Sequence, residues 1–551
     1  MQYNSEFSLH DLTLRTVLAS RAKQHGSKIY LTFAPDGRTF TYSDMDTLSN
    51  RIANGLLAHG IGKGAHVSML MENCPEFLLL LFGIGKIGAV ANPVNAAARG
   101  EFLRYFLEFS DASVLVMDLD SLDLFRQVAA GLPAFTHVVI LGNGKPVPER
   151  IDENPNITVI DYDSLLGASS AAVDIPLAYS DLLLLPYTSG TTGPSKLSLY
   201  PHAHSLLYGL SNTLEFGYRE DDVAYACLPL YHTSALLGVS LAAMWAHASV
   251  VLTRHFSASR FWSDCRDHGI TLVNALGAMA DFLWSQPRSP ADRDHKVRLC
   301  RLSPMPRYAR EFEERFGLTI VSAYGASDFS QITSFTADCP RSKMGSTGRA
   351  RSGIQIRIAD EDDQELPQGE TGEILVRSDN VWNTSMGYYK MPEATVASMR
   401  NMWFHTGDRG YLDADGFLYF VNRKKDAIRR RGENISSAEV ERLIARHPAV
   451  QEAAVFPVQA QTSEDEVAAT VVLKQGHGAT ELELIEFCVK EMPYYMVPRY
   501  MQVAADLPRT LSFRVQKFKL MEEARRNPDA WFDREKAGIV LKRARGAGHS
   551  S

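Results

Sequence analysis

The chain has 551 residues, is 45% hydrophobic and 22% charged, and carries a formal net charge of -7. That length is too great for one compact core and leaves room for about three or four structural units; the composition excludes a disordered chain, and the acidic balance excludes the basic surface of a nucleic-acid-binding protein. Six cysteines, Cys74, Cys227, Cys265, Cys300, Cys339 and Cys488, stand far apart with no C-x-x-C spacing, so they read as reduced thiols of a cytoplasmic protein.

Met1 to Arg21 lacks the basic-then-apolar build of a signal peptide. Residues 1 to about 180 alternate helix and strand: Tyr42 to His59 helical, Ala65 to Met71 a strand, Pro75 to Ile87 helical, Ala89 to Val94 a strand, then Phe102 to Phe109 and Ala112 to Met117. This order predicts a doubly wound parallel sheet. From Asp181 to about Asp338 the rhythm returns and predicts a second such unit, with ligands at the carboxyl ends of its strands. Within it, the uncharged stretch Thr233 to Thr253 reads as a buried helix followed by a strand, not a membrane span. Between Lys343 and Arg423 short strands split by turns fit a small antiparallel β-barrel. A separate α+β domain follows, with helix, strand and helix at Ser437 to Arg446, Val450 to Pro457 and Glu481 to Lys490. The expected division is an N-terminal domain at 1–424, a mobile C-terminal domain at 425–540 and a disordered tail at 541–551.

Five stretches carry chemistry. Tyr187-Thr188-Ser189-Gly190-Thr191-Thr192-Gly193-Pro194-Ser195-Lys196 follows an apolar strand, Leu182 to Leu185. Its glycines permit positive φ, so backbone N–H groups can converge on an anion while the hydroxyls and the Lys196 ammonium reach further phosphate oxygens. No Ser or Thr follows Lys196, so this is not the nucleotidase P-loop. Leu228-Pro229-Leu230-Tyr231-His232 places a histidine after a proline turn. Tyr324-Gly325-Ala326-Ser327-Asp328, at a strand's end, offers an aromatic to stack a purine, a hydroxyl for phosphate and a carboxylate for magnesium. Trp403-Phe404-His405-Thr406-Gly407-Asp408 sets an aspartate in a glycine turn after an aromatic strand, a carboxylate able to accept two hydrogen bonds. Pro508-Arg509-Thr510-Leu511-Ser512-Phe513-Arg514-Val515-Gln516-Lys517 lies near the C-terminus.

Together, from about Tyr42 to Leu520, these stretches resemble the adenylate-forming superfamily, and within it acyl-CoA synthetases of the crotonobetaine/carnitine-CoA ligase type, which similarly carry segments like Tyr388-Tyr389-Lys390-Met391-Pro392-Glu393. The resemblance implies a two-step reaction: carboxylate and ATP give acyl-adenylate and pyrophosphate, with Mg²⁺ as cofactor, and CoA then displaces AMP. It implies nucleotide contacts at Thr188 to Gly193, Ser303-Pro304, Tyr324 to Ser327, Asp408 and Arg423, a metal position at Asp328, a swinging His232, a hinge at Lys425 and CoA contacts at Arg431 and Gly432. The small residues Ala275, Gly277 and Ala323 fall where the acyl pocket is expected and suggest a bulky or cyclic acid; no acid suited to a trimethylammonium group is evident.

Three departures stand out. Leu197 replaces the glycine that usually follows the loop lysine, and Ser327-Asp328 replaces Thr-Glu. Most consequential, the Gly-Lys pair whose lysine bridges substrate carboxylate and α-phosphate is here Phe513-Arg514. A planar guanidinium is a poor substitute for an ammonium point donor in a tight site. The expectation is an enzyme weak in adenylation that chiefly converts acyl-adenylate to thioester in a biosynthetic pathway, served by a separate adenylating enzyme. The alternatives are an ordinary ligase in which Arg514, Lys517 or Lys519 does the lysine's work, a carrier protein in place of CoA, or a non-catalytic nucleotide-binding protein. Oligomeric state, a dimer included, stays open.

Overall fold

The structure is a computed structural model describing residues 6–188, 195–423, 427–430, 432–459, 464–508, 515 and 517–541. The expected tail from 542 onward lies outside the described residues. Two large sheets form the body. One has seven strands in the order Tyr200–Pro201, Leu182–Leu184, Val90–Val94, His66–Leu70, Val114–Asp118, His137–Leu141, Thr158–Asp161. The other has nine, in the order Arg349–Ala350, Gln331–Phe335, Thr319–Gly325, Leu299–Ser303, Leu272–Leu276, Val223–Ala226, Ser249–Leu252, Ile29–Phe33, Thr39–Thr41. From Thr319–Gly325 to Ile29–Phe33 every neighbouring pair is parallel.

The two units are not consecutive pieces of chain. Ile29–Phe33 joins the second sheet and Leu182–Leu184 the first, so the chain crosses between layers twice. Local pattern cannot reveal this, because an apolar strand fits either sheet equally well. The helix Pro75–Lys86 between the layers is buried along almost its whole length, as a helix apolar on every side must be. Proline at its first turn is preorganised for helix and lacks only an N–H that would have no intrahelical partner.

Thr233 to Thr253 forms Thr233–Ala235, a π-helical segment Leu236–Leu241, Ala242–Trp245 and the strand Ser249–Leu252, flanked on both sides in the nine-stranded sheet. No helix among the described residues is long and apolar enough to cross a membrane. The region after Lys343 is a four-stranded antiparallel sheet, Ile354–Ala359, Gly372–Ser378, Phe404–Leu412 and Leu418–Arg423. Its last strand is tied back to the large sheet's edge by bonds from Thr347 N–H to Leu418 O and from Leu418 N–H to Gly348 O.

The C-terminal lobe contains the hairpin Ala427–Arg430 and Glu433–Ser436, the helices Ser437–Ile444 and Glu481–Glu491, and a four-stranded sheet with Val450–Gln459. Its apolar side chains Ile428, Ile435, Val440 and Leu484 belong to one core cluster with Phe102, Leu103 and Phe106 of the N-terminal body. Asn95 Nδ2 donates to Tyr495 Oη at 2.9 Å across the same junction.

Candidate active site

The parallel strands of the nine-stranded sheet end side by side at Ala226, Leu276 and Ser303, and the chain after each end turns over one cavity of about 1390 Å³, lined from both lobes. This is the carboxyl edge where doubly wound sheets bind ligands. Ser303 fixes the rim: its Oγ donates to Ala323 O at 2.9 Å and accepts from Ala323 N–H at 3.2 Å. Ser303, Pro304, Tyr324, Gly325, Ala326 and Ser327 all line the cavity.

On one side stands Asp408, 6% exposed, accepting from Tyr324 Oη at 2.7 Å. The glycine turn expected before it is instead a kink inside one continuous strand, Phe404–Leu412, where Gly407 has φ of +70 and the pairing slips between Arg409 and Gly410. Glycine's tolerance of positive φ lets the strand bend without stopping. The antiparallel register sets Asp408 directly opposite Arg423, so residues fifteen apart in sequence become cross-strand neighbours.

At the phosphate end the short strands Tyr187–Thr188 and Lys196–Leu197 pair with Thr188 opposite Lys196. They bracket residues 189–194, so Ser189, Gly190, Thr191, Thr192 and Gly193 lie outside the described residues. Lys196 Nζ sits 4.3 Å from the centroid of the Tyr388 ring, and Tyr388 Oη donates to the carboxylate of Asp328. One tyrosine therefore links cation and acid. Leu197 is fully buried beside Val90 and Leu185, which accounts for a leucine at a position read as a departure: it fills a small apolar cluster.

Magnesium is commonly held by one or two carboxylates together with substrate phosphates and waters. Among the described residues no group of three or more metal-ligating acids, histidines or cysteines occurs. Asp328 follows Ser327 of the cavity wall and its carboxylate accepts from Tyr388; a single carboxylate there is a donor set that fits a metal completed by phosphate oxygens.

Toward the C-terminal lobe, Glu433 Oε1 accepts from Tyr231 Oη at 2.9 Å and faces His232 Nε2 at 3.2 Å. Gly432, at the turn of the same hairpin with φ of +80, rests on Leu276, where an added Cβ would overlap the Leu276 Cδ1 methyl. Ala275 and Ala323 line the cavity; Gly277 opens the helix Gly277–Trp284, and Leu276 and Met279 form the wall beside it. Lys425, Arg431 and Arg514 lie outside the described residues.

A buried acid also spans the lobes: Glu439 Oε1 accepts from Ser195 N–H at 3.0 Å and from Ser195 Oγ at 3.1 Å. Burial pushes its carboxyl up to about 7, against the opposing pull of those two donors and of Arg442. Lys517 is held on the C-terminal lobe by Glu441 Oε1 at 2.7 Å and Ser437 Oγ at 2.9 Å. From sequence, Glu433 and Glu439 carry no role and Tyr388 only a place in a family-like segment, because each acts through a partner 60 to 244 positions away.

Residues 18–389 match the AMP-binding enzyme family and residues 439–514 the AMP-binding enzyme C-terminal domain. The crotonobetaine/carnitine–CoA ligase of Citrobacter koseri is 32% identical over 516 residues, spanning 92% of this chain and 98% of that one. An o-succinylbenzoate CoA synthetase from Bacillus subtilis bound to the product analogue OSB-NCoA superposes with a TM-score of 0.79 at 27% identity, covering 92% of this chain and 98% of that one. The Bacillus subtilis synthetase in complex with AMP superposes with a TM-score of 0.64, again at 27% identity, covering 92% and 97%.

Proposed function

The chain belongs to the AMP-binding enzyme family, with the two-domain build of its acyl-CoA ligases, and from that premise we propose that it works chiefly in the second half-reaction, joining the acyl group of an acyl-adenylate to CoA. The observation that carries this reading is the hairpin of Ala427–Arg430 and Glu433–Ser436 at the cavity, lining it with Arg429, Gly432 and Glu433, with Gly432 against Leu276 and Glu433 against Tyr231 and His232. In support, the whole chain superposes better on the double-mutant synthetase holding a CoA product analogue, with a TM-score of 0.79, than on the synthetase holding AMP, with 0.64.

In this assignment Asp408 and Arg423 grip the ribose, the loop ending at Lys196 holds the phosphate, and Asp328 would hold Mg²⁺ during adenylation. Glu433 keeps His232 turned toward the C-terminal lobe, leaving the acyl carbonyl open to the thiol. The thiol sulfur bonds to the acyl carbon, the carbon–oxygen bond to phosphate breaks with its electron pair on AMP, and the thiol proton leaves to water. Gly432, with Arg431 beside it, borders the path of the pantetheine arm, and Lys425 is the hinge about which 425–540 turns between steps. The acyl-adenylate of a bulky acid, supplied by a separate adenylating enzyme in a biosynthetic route, is the substrate; Ala275 and Ala323 leave room for it.

The purified protein is expected to bind AMP and a non-hydrolysable acyl-AMP mimic by calorimetry, and Asp408→Ala to weaken AMP by about 10- to 100-fold, the worth of hydrogen bonds to a buried charge. No measurable affinity for either ligand would overturn the proposal.

The Glu439 contact makes the lobe arrangement pH-dependent. A carboxyl raised from 4.5 to about 7 holds its proton more tightly here than when the lobe turns away and exposes it. Acid therefore favours this arrangement: the contribution is complete below about 4.5 and is lost as pH rises through about 7. Within that window the closed-to-open ratio falls by up to about tenfold per pH unit. Energy transfer between dyes on the two lobes should show the change, and Glu439→Gln should flatten it; an equally steep profile in Glu439→Gln would assign it elsewhere.

A further inference from the structure

The far end of the cavity is polar in a way that small residues alone do not explain. Arg301 lies in the central strand Leu299–Ser303, two residues before Ser303 on the same face, and lines the cavity with Tyr208, Gln331, Asn274 and Ser234. Its Nη1 donates to Asn212 Oδ1 at 3.0 Å, while Asn212 is itself fixed by donating to Tyr208 O at 2.8 Å. Arg301 Nε is buried without a partner, and among the described residues the guanidinium forms no ion pair with a carboxylate.

Two neighbours sharpen the picture. Gln331, 3% exposed, donates to Tyr208 Oη at 3.0 Å and leaves its Oε1 without a partner. The Tyr208 hydroxyl, accepting from that amide, still has its own proton to donate. A second cation, Arg351, is buried behind them, and both guanidinium groups lie over the Phe216 ring, at 5.3 and 5.7 Å. The π-helical turn brings Gly238 against this group: a Cβ there would stand 3.3 Å from Arg301 Nη1 and 3.6 Å from Tyr208 Cε1, so glycine keeps the guanidinium and the phenol side by side.

A half-buried guanidinium whose Nε is buried without a partner, next to a second cation that is buried, is costly until an anion arrives. We propose that the acid this enzyme takes carries a second carboxylate, which Arg301 and the Tyr208 hydroxyl receive at the far end of the acyl pocket. This rests on the ligase reading above and narrows its substrate to a dicarboxylic acid activated at one end. It also excludes an acyl group ending in a quaternary ammonium, such as carnitine, since like charges would meet in a dry pocket.

The test presents synthetic adenylates with CoA: a graded series of straight-chain diacids and terephthalate, each beside its counterpart with methyl in place of the distal carboxylate, and carnitine. At least one diacid is expected to exceed its methyl counterpart by about 10²-fold or more in kcat/KM, because the analogue leaves buried donors unpaired. Carnitine should give no thioester. Arg301→Leu should bring that ratio toward one, and Arg301→Lys should recover part of it. In parallel, ligand-free Arg301→Leu should melt no lower than the parent, since it removes a half-buried charge with no carboxylate beside it; a drop of several degrees would make Arg301 a structural residue and overturn the inference. Preference for the methyl members or for carnitine would also overturn it while leaving the ligase reading intact. Loss of AMP affinity together with no thioester from any adenylate would overturn the ligase reading instead. If AMP binds but no adenylate reacts, the melting comparison decides.

Discussion

Supplied with a carboxylic acid, ATP and CoA, the enzyme is expected to form thioester about 10²- to 10³-fold more slowly than from the matching synthetic acyl-adenylate and CoA, the usual penalty for losing one preorganised charge donor. The expectation rests on the family resemblance, by which Phe513-Arg514 takes the place of a Gly-Lys pair. A forked guanidinium spreads its charge over three nitrogens, and phenylalanine lacks the backbone freedom of glycine. The nearest described lysine is no ready substitute, because Lys517 is held by Glu441 and Ser437. Restoring the pair, with Phe513→Gly and Arg514→Lys together, should raise the ATP-dependent rate and leave the adenylate-dependent rate almost alone. Mass spectrometry of AMP, pyrophosphate and thioester separates the two. Equal rates in the unmodified enzyme would sink the half-reaction idea.

The second large effect concerns the hairpin turn. Gly432→Val should lower thioester formation from acyl-adenylate by about 10²-fold while AMP binding changes little. Two costs combine: a β-branched residue at φ of +80 is strained by about 1–3 kcal/mol, and its Cβ overlaps Leu276. The turn must back away, taking Glu433 from His232, and a displacement of about 1 Å near a reacting centre is enough for such a loss. Leu276→Ala should return part of the rate by clearing the overlap but not the strain. Full activity in Gly432→Val would show that the turn does not approach the reacting atoms.

Much of this was legible in the sequence. The helix read at Tyr42 to His59 is observed at Tyr42–Ala58, and the strand read at Ala65 to Met71 is observed at His66–Leu70, because amphipathic and apolar runs of that length have one stable solution. The strand carrying Asp408 was misread as a turn, since glycine and aspartate favour turns when judged locally, and only the register with Leu418–Arg423 shows the strand continuing. The sequence did hold one overlooked signal: an arginine inside Leu299-Cys300-Arg301-Leu302, in the middle of a run otherwise suited to a central strand. A charge in such a place is either countered by a neighbour or kept for a ligand, and which of the two holds depends on side chains from three other elements.

The apolar cluster that Ile428, Ile435 and Leu484 share with Phe102 and Phe106 bears on the order of events. Turning the smaller lobe away would wet that oily seam, at a cost that grows with the hydrocarbon uncovered. On the proposed reading, the molecule left to itself would wait already poised for the thiol, and a triphosphate seeking entry would first have to prise the seam apart.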